Sequence, residues 1–366
     1  MRFHTRARRA IGLQVALITA AALPMAAGAR AAVPTAPGAS TVSVAPAVAP
    51  GEVRVAALRQ DPRQLSDFWT PERMRGARHL TAEPRSPRLR SVGTAGQALR
   101  RGEPTLVQPA VPAAAPVTGP APTSSGRRDF PDGGSPWHGH GLVNQTLGTV
   151  FLTSPAVIGA VACDGVAVQS HNKSVVLTKG SCTDLIDSSI TSWVFAPGYH
   201  DGCAPFGLWM ATQLFALPEW HRDVDENYDV GAATVVSIPP GRALVDTVGG
   251  QGVAFNQVIH PHPNVYLFGY WSQKPEALYY CSGRSVDDPN TPPAPHLPQA
   301  LYCPGAVGKV WGSPWFLGFD EETGVGIVNS IGIGNFDKLD YQLAPYFGDR
   351  IQDLYNQAQD APVAGE

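Results

Sequence analysis

Between residues 148 and 330 the apolar side chains come in runs too short to make helices with a buried face. The runs 148–152, 157–163, 175–178, 192–195, 232–238, 266–270, 316–319 and 325–330 are rich in β-branched and aromatic residues, and Gly, Pro, Asn or Asp punctuates the stretches between them. This spacing predicts antiparallel strands in a barrel or sandwich and argues against alternating βαβ units. Near the C-terminus the pattern changes. Tyr346, Phe347, Ile351, Leu354 and Tyr355 fall at helical spacing within 344–358, so one helix is expected to pack across the sheet surface.

Charge divides the chain near residue 134. Residues 1–134 hold 18 Arg, no Lys and 8 acidic residues, whereas 135–366 hold 9 basic and 22 acidic residues. Every cysteine and all tryptophans but Trp69 lie in the second part, which places the hydrophobic core there. That part is long enough for one large domain or two small lobes. Its acidic excess would repel phosphate, so nucleic acid is not an expected partner.

Residues 1–31 read as an export signal. Arg2, Arg6, Arg8 and Arg9 precede an apolar run from Ala10 to Ala27, and Ala29-Arg30-Ala31 offers a small-residue cleavage site. Pro24 and Arg30 interrupt a stretch already short for a membrane span, and no second segment is long and apolar enough. The mature chain is therefore expected to be secreted, with no stable span after processing. Arg8-Arg9 does not decide between the twin-arginine and general routes.

Residues 32–134 are rich in Ala, Pro and Arg. Runs such as Val107-Gln108-Pro109-Ala110-Val111-Pro112-Ala113-Ala114-Ala115-Pro116 are poor material for regular structure, so most of this stretch is expected to be disordered linker. One island stands apart. Phe68-Trp69-Thr70-Pro71-Glu72-Arg73-Met74 carries apolar side chains and is the part expected to dock.

Three short segments carry the chemistry. Val176-Leu177-Thr178-Lys179-Gly180-Ser181-Cys182 comes first, Tyr228-Asp229-Val230-Gly231 second, and Gly308-Lys309-Val310-Trp311-Gly312-Ser313-Pro314-Trp315 third. In order and in flanking residues they resemble the histidine, aspartate and serine segments of secreted bacterial trypsin-like serine peptidases, the group that includes glutamyl endopeptidases. The resemblance covers roughly 135–360 and extends to Trp193-Val194-Phe195-Ala196-Pro197-Gly198-Tyr199, Val248-Gly249-Gly250-Gln251-Gly252-Val253-Ala254-Phe255-Asn256, Leu278-Tyr279-Tyr280-Cys281-Ser282-Gly283 and Gly326-Ile327-Val328-Asn329-Ser330-Ile331-Gly332. It implies two six-stranded antiparallel β-barrels with a C-terminal helix over 135–366. It also implies that the island at 68–74 belongs to a prosegment, a basic arm drawn to the acidic domain.

At the centres of these segments the match fails. The resemblance puts Ser181 where the family has its histidine, Trp311 where it has the nucleophilic serine, and Lys309 where it has an oxyanion-loop glycine; Asp229 alone is kept. Acyl transfer needs a hydroxyl, a base that takes its proton near neutral pH, and donors for the oxyanion. An indole cannot attack a carbonyl, and the retained carboxylate works only by orienting an imidazole. A rival alignment makes Ser313 the nucleophile, yet it supplies no histidine and leaves Pro314 where a backbone donor is wanted.

Cysteines behind an export signal argue for disulfides without fixing their pairing. The resemblance implies Cys163 with Cys182 and Cys281 with Cys303, leaving Cys203, for which a buried thiol is the default. His138 with His140, and His260 with His262, lack further ligands at a zinc spacing, so no metal and no cofactor is expected. What remains is binding: Asn329, Ser330, Ile331 and Gly332 correspond to the edge along which the family aligns substrate, and a peptide or protein could dock there by strand addition without being cut.

Overall fold

The computed structural model describes residues 43–44, 52–79, 102–112, 130–155, 157–185, 189–258, 261–271, 274–287, 299–306, 310–336 and 340–363. The expected signal at 1–31 lies outside them.

The first lobe contains β1 (Leu147–Thr153), β2 (Val161–Val168), β3 (Val175–Lys179), β4 (Ser192–Pro197), β5 (Leu208–Ala216) and β6 (Val230–Ile238). Antiparallel pairing runs β5-β6-β3-β2-β1-β4 and returns from β4 to β5, which closes a six-stranded barrel. Strand β5 was missed in the sequence because Thr212 and Gln213 interrupt its apolar run. The register shift between Ala211 and Gln213 marks a bulge there.

The second lobe contains β7 (Gly252–Phe255), β8 (Asn264–Trp271), β9 (Lys274–Arg284), β10 (Val286–Asp287), β11 (Gln299–Tyr302), β12 (Pro314–Asp320), β13 (Val325–Ile331), β14 (Gly334–Phe336) and β15 (Tyr341–Ala344). Its pairings form two sheets, β7-β13-β12-β8-β9 and β10-β11-β15-β14. Strand β9 continues into β10 across Ser285, and β13 into β14 across Gly332 and Ile333. Counting each of these as one bent strand, β12, β8, β9-β10, β11, β15 and β13-β14 form a circuit of six, as expected, with β7 attached to β13 outside it.

The terminal helix spans Asp349–Gln359, starting later than its periodic pattern because Tyr346 and Phe347 precede it. Ile351, Leu354, Tyr355 and Ala358 are buried, and they join Val166 and Val168 of one lobe and Phe255 and Phe316 of the other in a single apolar cluster. The helix thus bolts the lobes together. Tyr355 stacks obliquely on Phe255 at 5.3 Å and donates from its hydroxyl to the carbonyl of Gln169.

Much of the arm expected to be linker is part of the fold. Arg54–Ala57 pairs with Gln213–Ala216 of β5, the half of that strand that β4 leaves unpaired. Gln60 then bridges the seam: Nε2 donates to the carbonyls of Trp193 and Ala211, and Oε1 accepts from the Trp193 N–H. Two short helices follow, Pro62–Phe68 capped by Asp61 and Pro71–Arg75 capped by Thr70, each with Pro at its start. Trp69 is 2% exposed, packs on Phe151 and donates its indole N–H to Ser192 Oγ at 2.9 Å. Farther on, Thr105–Val107 pairs with β7 and Ala110 bridges to Gly250, which corrects the expectation of a non-packing run at 107–116 for Val107 and Ala110; residues 113–116 lie outside the described residues. Proline blocked helix and sheet interior there but allowed an edge strand.

Leu58, Leu65, Trp69 and Met74 are all buried in the docking, and an ion pair joins Arg54 Nε to Asp184 Oδ2 at 3.1 Å. Trp69→Ala should lower stability by about 3–5 kcal/mol. Gln60→Ala should cost about 1–3 kcal/mol by leaving backbone groups at the seam unpaired. Urea unfolding of the full chain checks both, with the exposed Ile158→Ala as a control that leaves the midpoint unchanged.

Candidate functional site

Strand β3 ends at Lys179, and its register sets Lys179 opposite Val230, the residue after Asp229. The turn Gly180–Cys182 follows, tied to β2 by the Cys163–Cys182 disulfide. A Cβ on Gly180 would lie 2.9 Å from Asp229 Oδ1, so the close approach of this turn to the carboxylate needs glycine. The Ser181 N–H donates to Asp229 Oδ1 at 2.7 Å. Ser181 Oγ is buried and without a hydrogen-bond partner.

The other carboxylate oxygen belongs to Lys179. Its Nζ lies 3.2 Å from Asp229 Oδ2, and both side chains are 1% exposed. The same ammonium sits 4.0 Å from the ring centroid of Trp311. That indole is 3% exposed and packs in the first lobe's core beside Cys163, Cys182 and Trp193. Cation, anion and π-face are therefore stacked in a site shielded from water, where each attraction is stronger than at a surface.

Trp311 is held from its backbone as well. The Asp164 N–H donates to the Trp311 carbonyl at 2.7 Å. Gly312 has φ +89°, and a Cβ there would stand 2.1 Å from the Asp164 carbonyl oxygen, so only glycine fits. Ser313 is fully buried, and its Oγ donates to Asp164 Oδ2 at 2.5 Å. The Tyr270 N–H donates to the same oxygen at 3.1 Å. Asp164 stands on the first lobe, Tyr270 and Ser313 on the second, and Asp164 Oδ1 has no hydrogen-bond partner. Burial pushes the Asp164 carboxyl up to about 8, the hydrogen bonds from Ser313 and Tyr270 opposing this only in part.

The structure thus brings Ser181 and Asp229 into contact and joins Trp311 to them through Lys179. Lys309 lies outside the described residues. Asn329, Ser330, Ile331 and Gly332 are all buried. Gly332, expected on an open edge, is already bonded: its N–H donates to the Ser313 carbonyl at 2.7 Å, and its carbonyl accepts from Gly312 at 2.9 Å. The loop that carries Trp311 thus prolongs β12 along β13.

Both implied disulfides are present, Cys163–Cys182 and Cys281–Cys303. Cys203 is exposed, which corrects the expectation of a buried thiol; it sits in a tight turn where His200 and Cys203 exchange backbone hydrogen bonds. His171 Nδ1 is held by Asp360 and His200 Nδ1 by the Gly198 carbonyl, and His221 Nδ1 lies 2.8 Å from Asp184. His260 lies outside the described residues, within which no three His, Cys, Asp or Glu side chains gather to hold a metal. Also among these residues, no helix is long and apolar enough to cross a membrane.

Sequence reading missed Lys179 and Asp164. Lys179 stands at the end of its strand and gives no signal, whereas Asp164 is a charged residue inside a run of apolar strand residues, Val161–Val168, where every position is buried. Such a charge must find a partner, and that was the available signal.

Among the solved structures similar to this chain, two illustrate the likeness in fold and sequence. The protease Anisep from Arthrobacter nicotinovorans superposes with a TM-score of 0.54 at 29% identity, over 62% of this chain and 100% of that one. A thermostable serine protease, AL20, from an extremophilic microorganism gives 0.53 at 27% identity, over 60% of this chain and 100% of its own. The fold is that of bacterial trypsin-like serine proteases. No protein-family model and no curated protein sequence matches the chain. Both protease chains are matched over their full length, so the trypsin-like frame accounts for about three-fifths of this one.

Two outcomes follow within that frame. Breaking a buried ion pair leaves an uncompensated charge, so Lys179→Met and Asp229→Asn should each cost about 3–5 kcal/mol in urea unfolding. Lys173→Met, which removes an exposed partner of Asp246, should cost under about 1 kcal/mol. Asp164 has a raised folded-state pKa, so its contribution to stability is full below about pH 4 and is lost progressively up to about pH 8. Within that window the wild type should lose roughly 1.4 kcal/mol per pH unit relative to Asp164→Asn, and above it the difference should be flat. Unfolding free energies of the two proteins from pH 4 to 9 measure this.

Proposed function

We propose that this chain is an exported, catalytically inactive relative of trypsin-like serine proteases that acts by binding a peptide or protein. The observation that carries the reading is the Lys179 ammonium on Asp229, roofed by Trp311. An orienting carboxylate serves catalysis by holding an imidazole, and here it holds the enclosed Lys179 side chain. With Ser181 contributing its backbone N–H to the same carboxylate, neither side chain is arranged to shuttle a proton.

Ser313 is the hydroxyl on which an active alternative rests. It is fully buried, donates to a carboxyl, and accepts at its carbonyl from Gly332. A nucleophile must reach a carbonyl carbon and pass its proton to a base, and this serine is set for neither.

Secretion is supported by the signal-like N-terminus, by two disulfides and by the protease fold. The docked arm at 52–79 acts as the domain's own first ligand, completing the seam of the first barrel. Because Gly332 is bonded to its own loop, a peptide adding to that edge must displace Gly312 and Ser313 first.

The test is direct. Purified full chain, incubated with a serine-reactive fluorophosphonate and with fluorogenic casein, should remain unlabelled and release no fluorescence above buffer. Labelling that disappears in Ser313→Ala would contradict the reading and establish the active alternative.

A further inference from the structure

Along β2 the seam between the lobes has two unlike ends. At one end the Gln251 N–H donates to the Ala167 carbonyl at 3.1 Å, and the Gln169 N–H donates to the Gln251 carbonyl at 2.9 Å. Gln251 Nε2 also donates to Thr146 Oγ1 at 3.0 Å, and the Tyr355 hydroxyl reaches the Gln169 carbonyl from the terminal helix. Backbone groups, a carboxamide and two hydroxyls make this end, and burial pushes the Tyr355 phenol up, away from neutrality. None of these groups changes charge near neutral pH. The other end, about 10 Å back along the strand, hangs on Asp164. Its N–H holds the Trp311 carbonyl at 2.7 Å, and its Oδ2 accepts from Ser313 Oγ at 2.5 Å and from the Tyr270 N–H at 3.1 Å. All three partners come from second-lobe segments.

Asp164 is 1% exposed, its Oδ1 has no hydrogen-bond partner, and among the described residues no cation pairs with it. The residues set against it are Thr149 on β1, Thr178 on β3, Gly269 and Tyr270 on β8, and Gly312 and Ser313 in the loop. Tyr270 is the titratable one among them, and its phenol is pushed up by burial, by Asp164 and by Tyr199, itself pushed up by burial. Lys179, next to Thr178, is committed to Asp229. With a proton on Asp164 this end closes without enclosing charge. Without the proton the closed seam surrounds a bare carboxylate, which opening would hydrate. The Gln251 end carries no such cost, so the lobes can part at Asp164 while Gln251 and the terminal helix hold.

We propose that Asp164 is a pH-sensitive latch between the lobes: its ionisation raises the population of a minor form in which the loop of Trp311 and Ser313 loses its hold on the first lobe, with the Gln251 end as hinge. This goes beyond the binding reading and does not depend on it. Burial puts the closed-state carboxyl at about 8, against roughly 4 for a hydrated one, so the open form should gain tenfold per pH unit between those limits and level off above. Asp164→Asn keeps an acceptor oxygen for Ser313 and Tyr270 but cannot ionise. Hydrogen exchange of the full chain, resolved to single amides and corrected for intrinsic rates at each pH, reads the seam through the Asp164 and Tyr270 N–H groups bonded across it. From pH 5 to 8 their protection should fall tenfold per unit in the wild type and stay constant in Asp164→Asn. The hinge amide of Gln169 and the amides of the β3–β6 ladder should remain at least tenfold better protected throughout. Equal protection of seam and ladder would mean that the seam parts only in global unfolding, and a wild-type profile matching that of Asp164→Asn would mean that the carboxyl does not govern it. Either result overturns the latch. Should the variant fail to fold, wild-type seam protection that does not vary with pH overturns it alone.

Discussion

A buried carboxylate must have a cation or lose its charge, and in this fold Asp229 has Lys179. From that pairing most of the local architecture follows. The ammonium is long enough to reach Asp229 from the end of β3 and still lie 4.0 Å from an aromatic ring, so an indole can roof the pair. Once Trp311 occupies that volume, it extends the first lobe's core up to the Cys163–Cys182 disulfide. The place is filled: Lys179 and Asp229 are each 1% exposed and Trp311 3%.

The lobe interface bears a second consequence. Asp164 holds the loop after Trp311 through its backbone and holds Ser313 and Tyr270 through one carboxyl oxygen. Its side chain is a polar pin between two lobes that also meet through apolar surface, a shared helix and the contacts of Gln251 with Thr146, Ala167 and Gln169. Burial keeps this carboxyl protonated well above the usual carboxylate range, which lets it sit in the interface without a cation.

Much of this was legible from residues alone. Short punctuated runs gave the β class, and flanking residues such as Gly180, Cys182 and Gly312 gave the order of the site segments, because glycines at close approaches and bonded cysteines tolerate little substitution. The docked arm was partly legible: aromatic residues marked Trp69, while the Asp61-Pro62 and Thr70-Pro71 pairs, which are helix starts, were passed over in a Pro-rich background. The ion pair was not read. A lysine at a strand end reads as solvated, and only the third dimension brings its tip to Asp229 and under Trp311. Nor could the sequence reveal that Gly332 bonds to its own loop, since that contact depends on where the loop backbone turns.

The account stands on the Lys179 ammonium being sealed between Asp229 and Trp311. Reductive methylation of the native protein with ¹³C-formaldehyde, read site by site after proteolysis, measures this most directly. Lys179 should remain unmodified under conditions in which the exposed Lys173 is dimethylated completely. Modification of Lys179 at the rate of Lys173 would mean that the ammonium is open to solvent and that the cleft is not filled as described.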